Sequence, residues 1–221
     1  MAKKDMAKIN GDKSVHFSYN FSEKQNMAYS SSAQELFFGG SKGSGKSHLI
    51  RYASILYSLA VPGLQTYLFR RTSKQVRSNH LFGSTGYINV LQPFIDAGKV
   101  DINQSDGRID FFHKDDDGNS LPTSSIFLRH CQHESDVEVY RGCEIHFLIM
   151  DELTHFTSYQ YKTLRSCVRL GLKIDYKRAQ EILTFFDSEG NVISKAEAGF
   201  FPKILCASNP GNIGFKWPLV A

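Results

Sequence analysis

The chain has 221 residues, 41% hydrophobic and 22% charged, a globular composition that excludes collagen-like, disordered and disulfide-scaffold classes. Twenty-six Lys and Arg against twenty-two Asp and Glu leave +4, which permits a polyanionic partner without requiring one. Cys131, Cys143, Cys167 and Cys206 form no C-x-x-C pair, so buried, reduced thiols are expected.

Residues 1–18 read as a flexible basic lead-in, and Met1 to Lys13 lacks the apolar centre of a signal peptide. Residues 19–221 read as one domain of a protein working where thiols stay reduced. Glu35–Gly39 is a predicted buried strand that runs into a glycine loop. Beyond the loop, Leu49, Tyr52, Ala53, Leu56 and Leu59 fall at helical spacing, and Pro62-Gly63 stops that helix. Thr66–Arg70 is the next predicted strand, followed by a polar segment from Arg71 to His80. The apolar stretch Ile55–Phe69 contains Ser58, Pro62, Gly63 and Gln65, so it is no membrane span.

Ile109–His113 and Ser125–His130 flank Asp115-Asp116-Asp117-Gly118-Asn119, turn chemistry that predicts a hairpin. A calcium-loop alignment would put His113 and Ser124 where acids are needed, so the run is read as a turn. Asp187–Asn191 predicts a second hairpin between Thr184–Phe186 and Val192-Ile193. His130 and His133 would point to opposite faces of a strand, which argues against a metal site there. His146–Met150 and Lys203–Ala207 are nearly continuous apolar runs, the pattern of strands buried on both faces. The expected fold is α/β, a mostly parallel central sheet flanked by helices with β-hairpin insertions.

Gly40-Ser41-Lys42-Gly43-Ser44-Gly45-Lys46-Ser47 matches the phosphate-loop pattern G-x-x-x-x-G-K-[ST] (Walker A) in full, between a predicted strand and a predicted helix. Glycines let the backbone curl until its N–H groups converge on a phosphate, and the helix N-terminus adds partial positive charge. Lys46 is placed to reach β/γ oxygens and Ser47 to hold Mg²⁺ through its hydroxyl. The strand His146–Met150 delivers Asp151 and Glu152 at its C-terminal end (Walker B), where open α/β sheets place ligands. Asp151 then holds the Mg²⁺ water shell, and Glu152 orients and deprotonates the attacking water. That pairing favours hydrolysis over phosphoryl transfer to a small molecule.

From Phe21 to Trp217 the motif order resembles the ATPase domain of phage large terminases, the motors that package DNA into procapsids. The resembling elements are Phe21–Gln25, the loop with its preceding Gly39, Tyr67–Thr72, Tyr140–Glu144, Asp151-Glu152 and Cys206–Asn212. The resemblance implies a P-loop NTPase fold of the ASCE, RecA-like kind, ATP and Mg²⁺ as cofactors, and Gln25 reading the adenine edge. It implies a coupling role for Ser208 and Asn209, and Arg141 as a finger on a neighbouring subunit's ATP. Lys42 stands where the family often has arginine, and Lys42, Arg129, Arg165 and Arg169 compete with Arg141 for the finger. Lys162, Arg165 and Arg169, at i, i+3 and i+7, read as a solvated face more than a DNA tract.

The implied partners are double-stranded DNA, the capsid portal, the small terminase subunit and further copies in a ring, with a monomer allowed in isolation. No membrane partner is implied, and the implied location is the host cytoplasm. The family continues into a nuclease domain of RNase H-like fold, whereas no acidic cluster follows Ser208–Asn212 and Trp217 here. The chain is therefore expected to be a motor without nuclease activity. Two alternatives stay open: a helicase or remodelling ATPase, although Asp151-Glu152-Leu153-Thr154 lacks the helicase D-E-A-D/H run, and a non-catalytic nucleotide-gated binding module.

Overall fold

A computed structural model of the chain describes residues 5–7, 17–186, 192–195 and 201–209. Its first half runs β1 (Asp5–Ala7), β2 (Phe17–Tyr19), α1 (Glu23–Tyr29), β3 (Glu35–Gly39), α2 (Lys46–Ala60), β4 (Gln65–Arg70), α3 (Ser73–Val76) and α4 (Tyr87–Asp96). Then come β5 (Val100–Asn103), β6 (Arg108–Lys114), β7 (Ser120–His130), β8 (Phe147–Asp151), α5 (Ser158–Ser166), α6 (Tyr176–Leu183), β9 (Thr184–Phe186), β10 (Val192–Lys195) and β11 (Lys203–Ser208). A π-helical turn, Arg77–Leu81, follows α3, and 3₁₀ turns cover Glu134–Tyr140 and Leu153–His155.

The two apolar runs become β8 and β11, and every residue in both is buried. They lie side by side in a seven-stranded sheet of order β3-β11-β8-β4-β7-β6-β5. The first five strands are parallel, and β6 and β5 extend the sheet antiparallel. Alternation along β8 sends Phe147 and Ile149 into the apolar layer under α2, and Leu148 and Met150 into the layer that includes Leu164 of α5. Helices therefore cover both faces, as the apolar runs require.

The predicted hairpin is β6–β7, and Asp115 closes its turn by accepting from the backbone N–H of Asn119 at 2.7 Å and of Asp117 at 3.1 Å. The second predicted turn, Asp187–Asn191, lies outside the described residues. All four cysteines are free thiols, three buried and Cys143 partly so. Among the described residues no helix is long and apolar enough to cross a membrane.

Three expectations change. The strand before the loop, β3, is at one end of the sheet among the described residues, so Glu35, Phe37 and Gly39 are exposed rather than buried. The polar segment after β4 is partly helical, because Thr72 and Gln75 form a capping box that starts α3. Helix α5 ends at Ser166, so Lys162 and Arg165 share it but Arg169 does not, and Arg169 donates to the Gly142 carbonyl at 2.8 Å.

Candidate functional site

The glycine loop forms the connection from β3 to α2. Gly43 and Gly45 take φ of +84° and +78°, a left-handed backbone that L side chains rarely adopt. A Cβ on Gly40 would lie 2.5 Å from Ser44 Oγ, so the loop also needs glycine for close approach. Gly45 caps α2 with no side-chain hydrogen bond, which leaves the leading N–H groups of a 15-residue helix facing the loop.

Lys46, 7% exposed, folds back under this loop. Its ammonium lies 2.9 Å from Gly40 O, 2.8 Å from Ser41 O, 3.2 Å from Ser44 Oγ and 2.7 Å from Asn209 Oδ1. Three protons share four acceptors. Ser47 is half-buried in the first turn of α2, and Lys42 is exposed on the loop.

Strand β11 runs between the loop strand and the acid strand. Ser208 pairs with Gly39 of β3, and Ala207 with Asp151 of β8, so the three strand ends are level. Gly40 N–H donates to Ser208 O at 3.3 Å, which ties the loop to β11. One residue further, Asn209 accepts from Lys46 and donates from Nδ2 to Glu152 Oε1 at 3.1 Å. The orientation of that amide follows from its neighbours, since an ammonium only donates and a carboxylate only accepts. Ser208 Oγ lies 2.6 Å from Thr154 Oγ1 and 3.3 Å from Glu152 Oε2. Glu152 is the one non-glycine described residue with positive φ (58°), a backbone that costs about 1–2 kcal/mol.

Asp151 is 1% exposed, and two groups from other segments converge on its Oδ2. Arg70 Nε, from the end of β4, lies at 2.9 Å as an ion pair, but its N–H points off the line and makes no hydrogen bond. His80 Nε2, from the π-helical turn, lies at 2.9 Å and donates. Arg70 also reaches Glu152 Oε1 at 3.6 Å. Burial works against a charge on Asp151, but the hydrogen bond from His80 and the charge of Arg70 outweigh it and hold the carboxyl below the usual range. Burial also pushes His80 down, so it donates as a neutral imidazole.

The structure therefore brings together the loop, Lys46, Asp151, Glu152, Ser208 and Asn209. Gln25 joins them through the loop: its Nε2 donates to Gly45 O at 2.8 Å and its Oε1 accepts from Ser22 N–H at 2.8 Å. Buried to 5% exposure, it braces the loop and caps α1. Arg141 stays on the surface, ion-paired with Glu138 and donating to Tyr159 Oη at 3.0 Å. Of its competitors, Arg129 donates to the Asp106, Gly107 and Leu128 carbonyls, and Arg165 pairs with Glu35. Pro210, Gly211, Asn212 and Trp217 lie outside the described residues.

Arg70 and His80 were not expected at the site. The signal for Arg70 lies in the pairing of β4 with β8, which the sequence alone does not give: Phe69 pairs with Met150, so Arg70 and Asp151 end their strands side by side. For His80 the sequence offers none, because its approach depends on a π-helical turn. Among the described residues no cluster of three or more His, Cys, Asp or Glu side chains forms a metal cage.

A mostly parallel sheet with β11 between the loop strand and the acid strand, and a glycine loop opening α2, is an α/β fold of the P-loop NTPase type. Solved structures with a similar fold include phage large terminases and a large terminase ATPase domain. The large terminase of a thermophilic bacteriophage superposes with a TM-score of 0.56 at 14% identity, covering 87% of this chain and 40% of that one. The same phage protein in complex with ATP-γ-S gives 0.54 at 13% identity, with 86% and 38% covered. The large terminase ATPase domain of Thermus phage P74-26 gives 0.51 at 17%, with 86% and 81% covered. At these identities the likeness is one of fold, and this chain spans about 40% of the first of these terminases. No protein-family model and no curated protein matches the sequence.

Proposed function

We propose that this chain is the ATPase domain of a phage large terminase, which hydrolyses ATP to move double-stranded DNA into a procapsid. One observation carries the reading: Asn209 joins Lys46 of the glycine loop to Glu152 beside Asp151, so the phosphate-binding and water-activating groups form one hydrogen-bonded unit.

The residues fit the nucleotide and its metal. Uncapped N–H groups at the start of α2 and the Lys46 ammonium suit a polyphosphate. The Ser47 hydroxyl and the Asp151 carboxylate, held charged by its neighbours, are the hard oxygen donors that Mg²⁺ prefers. When bound, Mg²⁺ would neutralise charge on the β- and γ-oxygens. Glu152 takes the proton from the attacking water at a carboxylate oxygen, while Asn209 and Ser208 fix that carboxylate in place. Gln25 holds the loop in register through Gly45 O, and the adenine edge is the role the resemblance assigns it.

Within this reading Arg141 is the finger offered to a neighbouring copy, since it is exposed and, among the described residues, its side chain is held by Glu138 and Tyr159. The partners are double-stranded DNA, the capsid portal, the small terminase subunit and further copies in a ring in the host cytoplasm. An ATPase assay on the purified chain, with DNA and with portal-bearing procapsids, tests the proposal. DNA-stimulated hydrolysis that Lys46→Ala abolishes is expected. ATP binding without hydrolysis in the complete mixture would refute it.

A further inference from the structure

We propose that His80 is a positioning residue for Asp151, aiming one carboxylate oxygen so that the other faces the metal bound by Ser47. The inference rests on the reading of Asp151 and Ser47 as Mg²⁺ donors. Its physical basis lies in how much structure is arranged around a single hydrogen bond.

His80 is fully buried, with Nε2 at 2.9 Å from Asp151 Oδ2. Its other ring nitrogen, Nδ1, is buried with no hydrogen-bond partner. Burying an unpaired ring nitrogen is costly, so an apolar side chain would fill this place at lower cost if volume alone were needed. Neutralising Asp151 does not need His80 either, because Arg70 Nε already lies 2.9 Å from the same oxygen. Arg70 supplies charge without a directed hydrogen bond, whereas His80 supplies the direction.

The segment that carries His80 is pinned to the helix that carries Ser47. Arg51 Nη1 donates to Asn79 O at 2.9 Å, and Nη2 donates to Thr85 Oγ1 at 3.2 Å. Ser54 Oγ, one turn further along α2, lies 2.7 Å from Tyr87 Oη. Ser47 and Arg51 are four residues apart, on one face of α2. One rigid helix thus sets both the hydroxyl donor and, through Arg51 and the π-helical turn, the imidazole that aims the carboxylate. Such turns recur at functional sites. Here Ser78 and Asn79 face solvent while His80 and Leu81 are buried.

The test reads binding rather than turnover: affinity for a fluorescent, slowly hydrolysed ATP analogue across a Mg²⁺ titration, on the whole chain. His80→Leu should keep the metal-free affinity within about twofold and need roughly 10- to 100-fold more Mg²⁺ for half of the metal's effect. His80→Gln, whose amide nitrogen sits near the Nε2 position, should restore the wild-type titration, and His80→Asn, one bond shorter, should not. If His80→Leu fails to fold, the Gln and Asn variants decide the question alone. An unchanged Mg²⁺ midpoint in His80→Leu, or equal behaviour of the Gln and Asn variants, would overturn the inference and leave the ATPase reading intact. Wild-type binding that ignores Mg²⁺ also overturns it. A wild-type chain that binds no analogue overturns the parent reading, and this inference with it.

Discussion

Replacing Gly45 with alanine should damage the loop in two separable ways. At φ +78° an alanine pays about 1–2 kcal/mol for its left-handed backbone. Its Cβ would also lie 2.4 Å from Gln25 Nε2, so the Gln25 amide must leave its hydrogen bond to Gly45 O. Gln25 is 5% exposed, and a displaced, buried amide costs a further ~1–3 kcal/mol. Gly45→Ala should therefore lose about 2–5 kcal/mol in all. In a Gln25→Ala background the second cost has already been incurred, and the same substitution should lose only about 1–2 kcal/mol. Urea unfolding of the four proteins in this cycle measures the difference, which should be about 1–3 kcal/mol. If the two costs agree within about 0.5 kcal/mol, Gln25 does not press on Gly45 and its place in the loop is misassigned.

Glu152→Gly should be more stable than Glu152→Ala by about 1 kcal/mol in thermal or chemical unfolding, because only glycine relaxes at φ 58°. Glu152→Gln should keep ATP binding and lose hydrolysis, and near-normal turnover would remove Glu152 as the base. His113, hydrogen-bonded to Ser124 Oγ at 2.8 Å, is pushed down to about 4 by burial and the nearby Arg178. Its folded pKa lies below the unfolded value near 6.5, so the unfolded chain binds the extra proton between these limits. Stability should fall as pH drops from about 6.5 towards 4, and the gap to His113→Asn should narrow over that window in pH-dependent unfolding. Under the proposed function, Asn209→Ala should lower the maximal ATPase rate on the order of tenfold or more with a smaller change in apparent KM, since it frees the Glu152 carboxylate without removing a phosphate ligand.

What could be read from the chain and what could not divide along physical lines. The loop was legible because its chemistry is local: Gly43 and Gly45 are needed where they stand whatever surrounds them. Strands β8 and β11 were legible because burial on both faces leaves an uninterrupted apolar run. Helix α4 was missed although Tyr87, Leu91 and Phe94 are spaced for it, because Pro93 inside the pattern argues for a break. The reach of Arg70 and His80 to Asp151 could not be read, since it depends on β4 lying beside β8 and on a π-helical turn in a polar segment. Gln25 shows a third limit: the residue was legible, but its partners, Gly45 and Ser22, are set by how α1 meets the loop.

Sheet order also explains why one asparagine can serve two sites. With β11 between β3 and β8, whatever leaves the end of β11 must emerge between the glycine loop and the acids. Register then narrows the choice to Asn209, because Ser208 still pairs with Gly39 while its hydroxyl is engaged with Thr154. At that position an amide is the side chain that answers both neighbours: Oδ1 accepts from Lys46, and Nδ2 donates to Glu152. A carboxylate would repel Glu152, and an ammonium would repel Lys46. Under the proposed function, a phosphate that draws Lys46 away takes the donor partner from Asn209 Oδ1, and the carboxylate of Glu152 responds through the same side chain. Beside the left-handed backbone of Glu152, Thr154 N–H and Oγ1 both meet Ser208 Oγ, which ties the acid turn to the same strand end that carries Asn209.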